Sequence, residues 1–482
     1  MNKFIMTCLQ KFPDSYWYSG AERKSFQEIS LIVDSIGRQL AEKLRKGSKC
    51  LILCDEQENV AIAILGCWMA GMIPIPLYKN HGSQFYSKIS AFVEPDVLIC
   101  DTPTTLEQPL CVFNILTKTF SGELSTTPIE DELSDVVLIL CTSGTTGHPK
   151  AVMLQASAIL SNVLDIADYM VLDQTDVVLI ARPLMHSAVI TGEFLAALYS
   201  GCNIRFLDGC YNPQKISSEL CNGATVLGGT PTLYKHISLL LKGRTCTYTL
   251  RTIILSGEIL PDQTAKLIMD TFPEARIFNV YGLTEASPRI SYLPPGKFTQ
   301  WHNTVGIPLN SVKLKIVGRC NQILKPMERG HLWVTGPNLM KGYYRDTYST
   351  SKVLVDGWLD TKDIAYINKH GFLVIEARAD DMIIKAGMNI YPKEIELVLA
   401  EQDHIQDAAA YKLNSADGQG IGLYVVVDNT HISKKDVMRI CCSCLPRYEL
   451  PDKIDILPEL PHNMNGKLIR KPHCKLASTE DL

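Results

Sequence analysis

Short apolar runs, each followed by a stretch of helical spacing, recur along the first 280 residues and limit the fold more than any other feature. Cys50-Leu-Ile-Leu-Cys54 suits a strand buried on both faces, Glu58 to Met72 reads as a helix, and Ile73-Pro-Ile-Pro-Leu77 as the next extended piece. The rhythm returns at Asp176 to Ile180 followed by Thr191 to Leu198. It returns again at Thr252 to Leu255 followed by Pro261 to Phe272, and ends with Arg276 to Val280. Strands separated by helices imply parallel sheets covered on both faces. From about Val312 to Trp333 the pattern becomes alternating and turn-rich, as in a small antiparallel or barrel-like region.

A second unit is expected from Asp380 onward. Ile383 to Ile390, Ile405 to Leu413 and Gly422 to Val427 read as strands, and Pro392 to Glu401 and Ser433 to Leu445 as helices. The expected fold is therefore α/β. A large N-terminal domain (residues 1–379) holds parallel-rich sheets and a small barrel-like β region, and a small, mobile α+β domain covers 380–482.

At 482 residues the chain is too long for one ordinary core. A net charge of −4, with basic residues scattered, gives no footprint for nucleic acid or an anionic membrane. The longest apolar stretch, Val60 to Leu77, is interrupted by Gly66, Gly71, Pro74 and Pro76 and is no membrane span. The apolar run in Met1 to Phe12 is too short and broken for a signal peptide. Cys50, Cys54, Cys67 and Cys141 sit inside apolar patterns, where a reduced cysteine acts as a small hydrophobe. A cytoplasmic location is expected. Cys441-Cys-Ser-Cys444 lacks a second ligand pair at zinc spacing and falls in an amphipathic helix pattern, so no metal is assigned to it.

The buried run Val136-Val-Leu-Ile-Leu140 feeds Thr142-Ser-Gly-Thr-Thr-Gly-His-Pro-Lys150. Gly144 and Gly147 let backbone N–H groups turn toward an anion. The hydroxyls of Thr142, Ser143, Thr145 and Thr146 donate further bonds, and Lys150 supplies charge. The loop is built to wrap a polyphosphate. It is not a Walker A loop, because His148-Pro149 separates Gly147 from Lys150. Further on, Tyr281-Gly-Leu-Thr-Glu285 directly follows a strand-like run and offers an aromatic face, a turn, a hydroxyl and a carboxylate. Ligands of open α/β sheets bind at such strand ends.

The segment Thr142 to Lys150 resembles the phosphate-binding signature of the adenylate-forming superfamily, which includes acyl- and aryl-CoA ligases, peptide-synthetase adenylation domains and luciferases. The resemblance runs in order from about residue 50 to Arg470. It implies that Tyr281 stacks on adenine, Thr284 bonds the α-phosphate and Glu285 holds Mg²⁺. Asn279, Val280 and Gly282 also fall at nucleotide-binding positions, with Asn279 near the adenine edge. Ser256-Gly-Glu258 falls in the adenine-side loop, one residue shorter than the family's usual length. Gly357-Trp-Leu-Asp-Thr-Lys-Asp363 resembles the next signature, which implies that Asp363 accepts from both ribose hydroxyls and Arg378 joins it. Ala377 stands where the family usually has Gly. Asp380 matches the hinge. Leu457 to Arg470 resembles the C-terminal signature, in which Lys467 bridges carboxylate and phosphate oxygens. Many members carry a lysine where Ile384 stands, and Lys385 is one position late, so no thioester role is transferred to it.

For the acid, Pro183-Leu-Met-His-Ser187 makes His186 a gating or orienting residue. Ala188 occupies the position where amino-acid-activating members carry an Asp, which argues against an α-amino acid substrate. Gly192, Gly228, Gly229 and Thr230 are expected to form the pocket wall, with the glycines leaving room for an aryl ring or acyl chain. The implied reaction uses ATP and Mg²⁺ to activate a carboxylic acid as acyl-AMP. A thiol then takes the acyl group: coenzyme A, or the phosphopantetheine of an acyl or peptidyl carrier protein.

Overall fold

The computed structural model describes residues 1–77, 83–103, 111–124, 129–142, 150–208, 212–242, 248–318, 320–381, 383–385, 388–415, 418–428 and 432–461. Its contacts divide the chain into two compact units. One is Met1–Lys315 with Trp333–Thr361 and Gly371–Leu373. The other is Ile316–Leu332 with Lys362–His370 and Val374–Leu482.

Each of these apolar runs in the first unit becomes a strand. A nine-stranded sheet takes the order Ile307–Pro308, Arg289–Leu293, Arg276–Gly282, Thr252–Leu255, Val226–Gly229, Val177–Ile180, Asn203–Phe206, Tyr16–Ser19, Glu22–Ser25. From Arg276–Gly282 across to Tyr16–Ser19 the neighbours run parallel; the flanking pairs are antiparallel. The helices Pro231–Leu241 and Asp262–Thr271 cover it through a core of Leu227, Leu233, Tyr234, Ile237, Ile253, Leu255 and Ile268, each no more than 2 % exposed. In a second sheet Ile73–Pro76, Lys49–Leu53, Val97–Cys100 and Val112–Asn114 run parallel.

The helix Gln57–Ala70 is buried on every side from Gln57 to Trp68, and from Val60 onward its residues are apolar all round, as such burial requires. It packs on Phe26–Lys43 through two glycines. A Cβ on Gly37 would stand 2.6 Å from Met69 Cβ, and one on Gly66 would stand 2.6 Å from Ile36 Cγ2. The strand before the phosphate loop, Val136–Thr142, is not part of a parallel unit. It pairs antiparallel with Lys150–Gln155, so Thr142 stands opposite Lys150 at the end of the ladder where the phosphate loop connects the two strands. The helical region placed at Thr191 to Leu198 begins earlier, at Ser187, and carries a π-helical segment, Ile190–Leu195.

The turn-rich region becomes part of a five-stranded sheet of Lys313–Val317, Gly330–Thr335, Trp358–Ile367 and Leu354–Val355, with Leu373–Arg378 also pairing Trp358–Ile367. In the second unit, 383–390 is two strands, not one: Ile383–Lys385 pairs antiparallel with Met388–Ile390. Ile405–Ser415 and Gly418–Val427 form a long antiparallel pair, joined by the parallel strand Lys453–Ile456. Pro392–Ala400 and Lys434–Cys444 pack on this sheet through Ile395, Leu399, Val437 and Cys441. Cys441 is thus a core side chain of an amphipathic helix whose Ser433 and Asp436 form a capping box. Among the described residues no helix is long and apolar enough to cross a membrane, and no group of three acidic, His or Cys residues is arranged to hold a metal.

Candidate active site

Parallel strands deliver their carboxyl ends to one edge of the sheet, and ligands of such sheets bind there. In the nine-stranded sheet, four adjacent strands end this way. Arg276–Gly282 is followed by Thr284 and Glu285, Thr252–Leu255 by Ser256-Gly-Glu258, Val226–Gly229 by Thr230, and Val177–Ile180 by Arg182. Hydrogen bonds tie these ends together. The Ser256 N–H donates to the Gly229 carbonyl (3.0 Å), and Arg182 Nη1 donates to Ser256 Oγ (3.1 Å). Glu258 accepts from both the Thr232 N–H (3.2 Å) and hydroxyl (2.7 Å), while Thr230 caps the helix Pro231–Leu241. Gly257 takes φ +91°, a left-handed conformation that favours glycine.

The tyrosine-to-glutamate motif is anchored from two sides. Ser187 Oγ lies 3.4 Å from Thr284 Oγ1, so the residue after His186 touches the residue proposed to meet the α-phosphate. Glu285 Oε1 accepts from Tyr343 Oη at 2.8 Å, and the Glu285 carbonyl accepts from the Met340 N–H at 2.8 Å. Tyr343 pairs with Val152, and the Lys150 ammonium lies 4.7 Å above its ring. Tyr343 therefore joins the lysine that closes the phosphate loop to the acidic end of the motif. Reading in sequence order misses it, because it lies 58 residues beyond Glu285.

Asn279 is buried, and its amide donates to the carbonyls of His302 (3.1 Å) and Thr304 (2.9 Å), leaving its oxygen for another partner. Val280 is also buried, while Tyr281 is partly exposed. Gly282 has no room for a side chain, since a Cβ would stand 2.1 Å from the Pro288 carbonyl.

The acid-side glycines depart from expectation. A Cβ on Gly228 would meet Glu193 Oε1 at 2.3 Å, and one on Gly192 would meet Arg289 Nη2 at 2.8 Å. The room reserved for an acyl group over these glycines is taken by a carboxylate and a guanidinium. Gly229 faces Leu233 and Tyr234 of the next helix. Glu193 is 2 % exposed and ion-paired with Arg182, and its Oε2 has no hydrogen-bond partner. Burial pushes the nearby Tyr234 hydroxyl well above its usual range, and the Glu193 charge adds to the shift. Neither Arg182 nor Glu193 sits in a recognisable motif. A charged residue inside an apolar helix pattern was the only signal for Glu193. His186 caps the helical stretch with its backbone carbonyl, which accepts from Val189 and Ile190 (both 2.9 Å), and Ala188 is half-buried on its first turn.

In the second unit, Arg378 Nη1 lies 3.3 Å from Asp363 Oδ1; the carboxylate is 4 % exposed and the arginine 39 %. Asp380 lies in the turn Ala379–Asp381. Lys385 is bound to Asp452 (2.8 and 2.9 Å) and the Leu450 carbonyl (2.9 Å), so it braces two segments of this unit. Thr142 ends its strand. Ser143, Gly144, Thr145, Thr146, Gly147 and Lys467 lie outside the described residues.

The family model described as AMP-binding enzyme matches residues 7–344, and that of the AMP-binding enzyme C-terminal domain matches 394–467. The chain belongs to the AMP-binding enzyme family. Among members of this family, it is 27% identical over 462 residues to a feruloyl-CoA synthase of Amycolatopsis sp, covering 94% of this chain and 93% of that protein. It is 28% identical over 457 residues to a 2-succinylbenzoate–CoA ligase of Bacillus pumilus (strain SAFR-032), covering 92% of each. In fold it resembles the o-succinylbenzoate CoA synthetase of Bacillus subtilis solved with its acyl-adenylate intermediate. The TM-score is 0.84 at 24% identity, over 98% of this chain and 97% of that one.

Proposed function

We propose that this AMP-binding enzyme is an AMP-forming acid–thiol ligase that activates an aryl or acyl carboxylic acid with ATP and passes it to coenzyme A. The acid's carboxylate attacks the α-phosphorus of ATP, forming acyl-AMP and releasing pyrophosphate. The thiol then attacks the acyl carbon, and AMP leaves with one of the acid's original oxygens. The observation that carries the reading is the linkage Lys150–Tyr343–Glu285 at the end of the phosphate-loop ladder, with Thr284 beside Ser187.

Residue roles follow from position and chemistry. Thr142 to Gly147 and Lys150 wrap the phosphates, Thr284 donates to the α-phosphate, and Tyr281 gives adenine a flat face. Ser256 to Glu258 and Asn279 to Gly282 line the nucleotide's other edges, and Asp363 with Arg378 receives the ribose. Glu285 fits as the single protein carboxylate for Mg²⁺, since Tyr343 occupies one of its oxygens and leaves the other; the ion would neutralise phosphate charge. His186 orients the acid's carboxylate. The division of labour runs between 1–379 and 380–482, with Asp380 as the hinge that withdraws Lys467 between the two steps. Buried cysteines outside any disulfide at Cys50, Cys54, Cys67 and Cys141 suit a reducing, cytoplasmic setting.

The test is acid-dependent ATP–pyrophosphate exchange over a panel of aryl, fatty and α-amino acids, followed by product analysis with coenzyme A and with a holo-carrier protein. Exchange with aryl or acyl acids and a coenzyme A thioester are expected. Exchange with no acid overturns the reading; a thioester on the carrier protein alone transfers the second step to a different acceptor.

A further inference from the structure

Arg289 opens the strand Arg289–Leu293 and is only 2 % exposed. A guanidinium keeps its charge when buried, and buried charges are found paired. Arg289 has no carboxylate within ion-pair distance among the described residues; its side chain donates only to the hydroxyl of Tyr169. Its backbone is fixed on both sides: the N–H donates to Asn162 Oδ1 (3.0 Å), and the carbonyl accepts from Asn162 (2.8 Å) and Asn338 (3.0 Å). The placement is thus built by the fold.

Two neighbours connect Arg289 with the proposed site, one through its backbone and one through its guanidinium. Arg289 pairs in register with Gly282, inside the motif that ends in Thr284 and Glu285. Its Nη2 also lies against Gly192, where a Cβ would come within 2.8 Å, on the helical stretch that begins at the acid-orienting end beside His186. That contact falls in the π-helical segment, a distortion frequent at functional sites. Two buried hydroxyls close to these residues in sequence also lack hydrogen-bond partners: Thr191, next to Gly192, and Ser291, two residues along the strand from Arg289.

We propose that Arg289 is a specificity residue of the acid pocket, and that the acid it selects carries a second carboxylate besides the one that is activated. The inference rests on the adenylation reading and deepens it. The guanidinium supplies charged donors for an anion that the described residues do not provide. A monocarboxylic acid, or the ester of a diacid, leaves that charge buried and unanswered.

The experiment uses the full chain and acid-dependent ATP–pyrophosphate exchange. Aryl and aliphatic dicarboxylic acids are each compared with their monomethyl ester. The diacid is expected to exceed its ester by roughly 10- to 100-fold in kcat/KM, mostly through KM, the range for a charge-assisted bond. Arg289→Met keeps the length without the charge and should bring that ratio near one, while Arg289→Lys should retain part of it. If Arg289→Met fails to fold, Gly192→Ala displaces the guanidinium and should lower the ratio in the same direction. Equal use of diacid and ester by the unaltered protein overturns the proposal, as does a preference that survives Arg289→Met. Exchange with no acid at all overturns the adenylation reading instead.

Discussion

Glu285 and Tyr343 show how a contiguous motif depends on a residue far from it. The motif was legible because a strand end, a turn, a hydroxyl and a carboxylate follow one another in five residues. Tyr343 was not, because its bond to Glu285 exists only once Gly342–Tyr343 pairs with Lys150–Gln155. Tyr343→Phe removes one donor to a carboxylate and should raise the Mg²⁺ concentration for half-maximal exchange by roughly tenfold. An unchanged Mg²⁺ titration would separate Tyr343 from Glu285's role. The same limit hid Arg182 and Glu193, which meet across two elements. Glu193→Ala strands the partly buried Arg182 and should cost about 3 kcal/mol in urea denaturation. Gly228 is expected from the sequence to leave room for an aryl ring or acyl chain, but a Cβ there would meet the Glu193 carboxylate. The space serves the Glu193 carboxylate, so Gly228→Ala should destabilise the protein by about 1–3 kcal/mol rather than merely narrow the pocket.

At the scale of elements, apolar runs of four or five residues fixed the parallel strands closely, because burial on both faces leaves few alternatives. Short or half-exposed strands such as Tyr16–Ser19 and Lys453–Ile456 carried no such signature. The antiparallel ladder beside the phosphate loop was hidden because pairing direction is decided by partners, not by the run itself. That ladder's neighbourhood holds a charged network. Glu130 accepts from Tyr344 (2.7 Å), Arg345 (2.9 Å) and Lys49 (3.2 Å), tying the start of Lys49–Leu53 to the segment after Gly342–Tyr343. Burial alone would raise the Glu130 carboxyl, but the bonds from Tyr344, Arg345 and Lys49 outweigh it and hold the group below its ordinary range. A depressed carboxylate stabilises the fold above its unfolded value, near 4.3, and that contribution is lost as pH falls through the lower folded value. The stability gap between the unaltered protein and Glu130→Gln should therefore be full above about pH 5 and close as the solution is acidified further. A gap independent of pH would place the effect elsewhere.

Across the whole molecule, the order of motifs identified the family, since each signature appears where its predecessor requires it. Which acid is used was far less legible, because the contacts that bear on it, Gly192 with Arg289 and Gly228 with Glu193, form only in the fold and no single stretch displays them. Under the proposed function, the two chemical steps use different arrangements of the chain. Lys467→Ala should lose exchange by at least about 100-fold, the scale of one charge-stabilising group, yet still convert preformed acyl-AMP to thioester. Asp380→Pro should form acyl-AMP normally and transfer it slowly, with single-turnover measurements separating the two. The most direct test of the central claim follows the oxygen atoms. With an accepted acid labelled with ¹⁸O in its carboxylate, attack on the α-phosphorus predicts one labelled oxygen in the AMP and none in the pyrophosphate. Unlabelled AMP, or ADP with labelled inorganic phosphate, would contradict an adenylate intermediate.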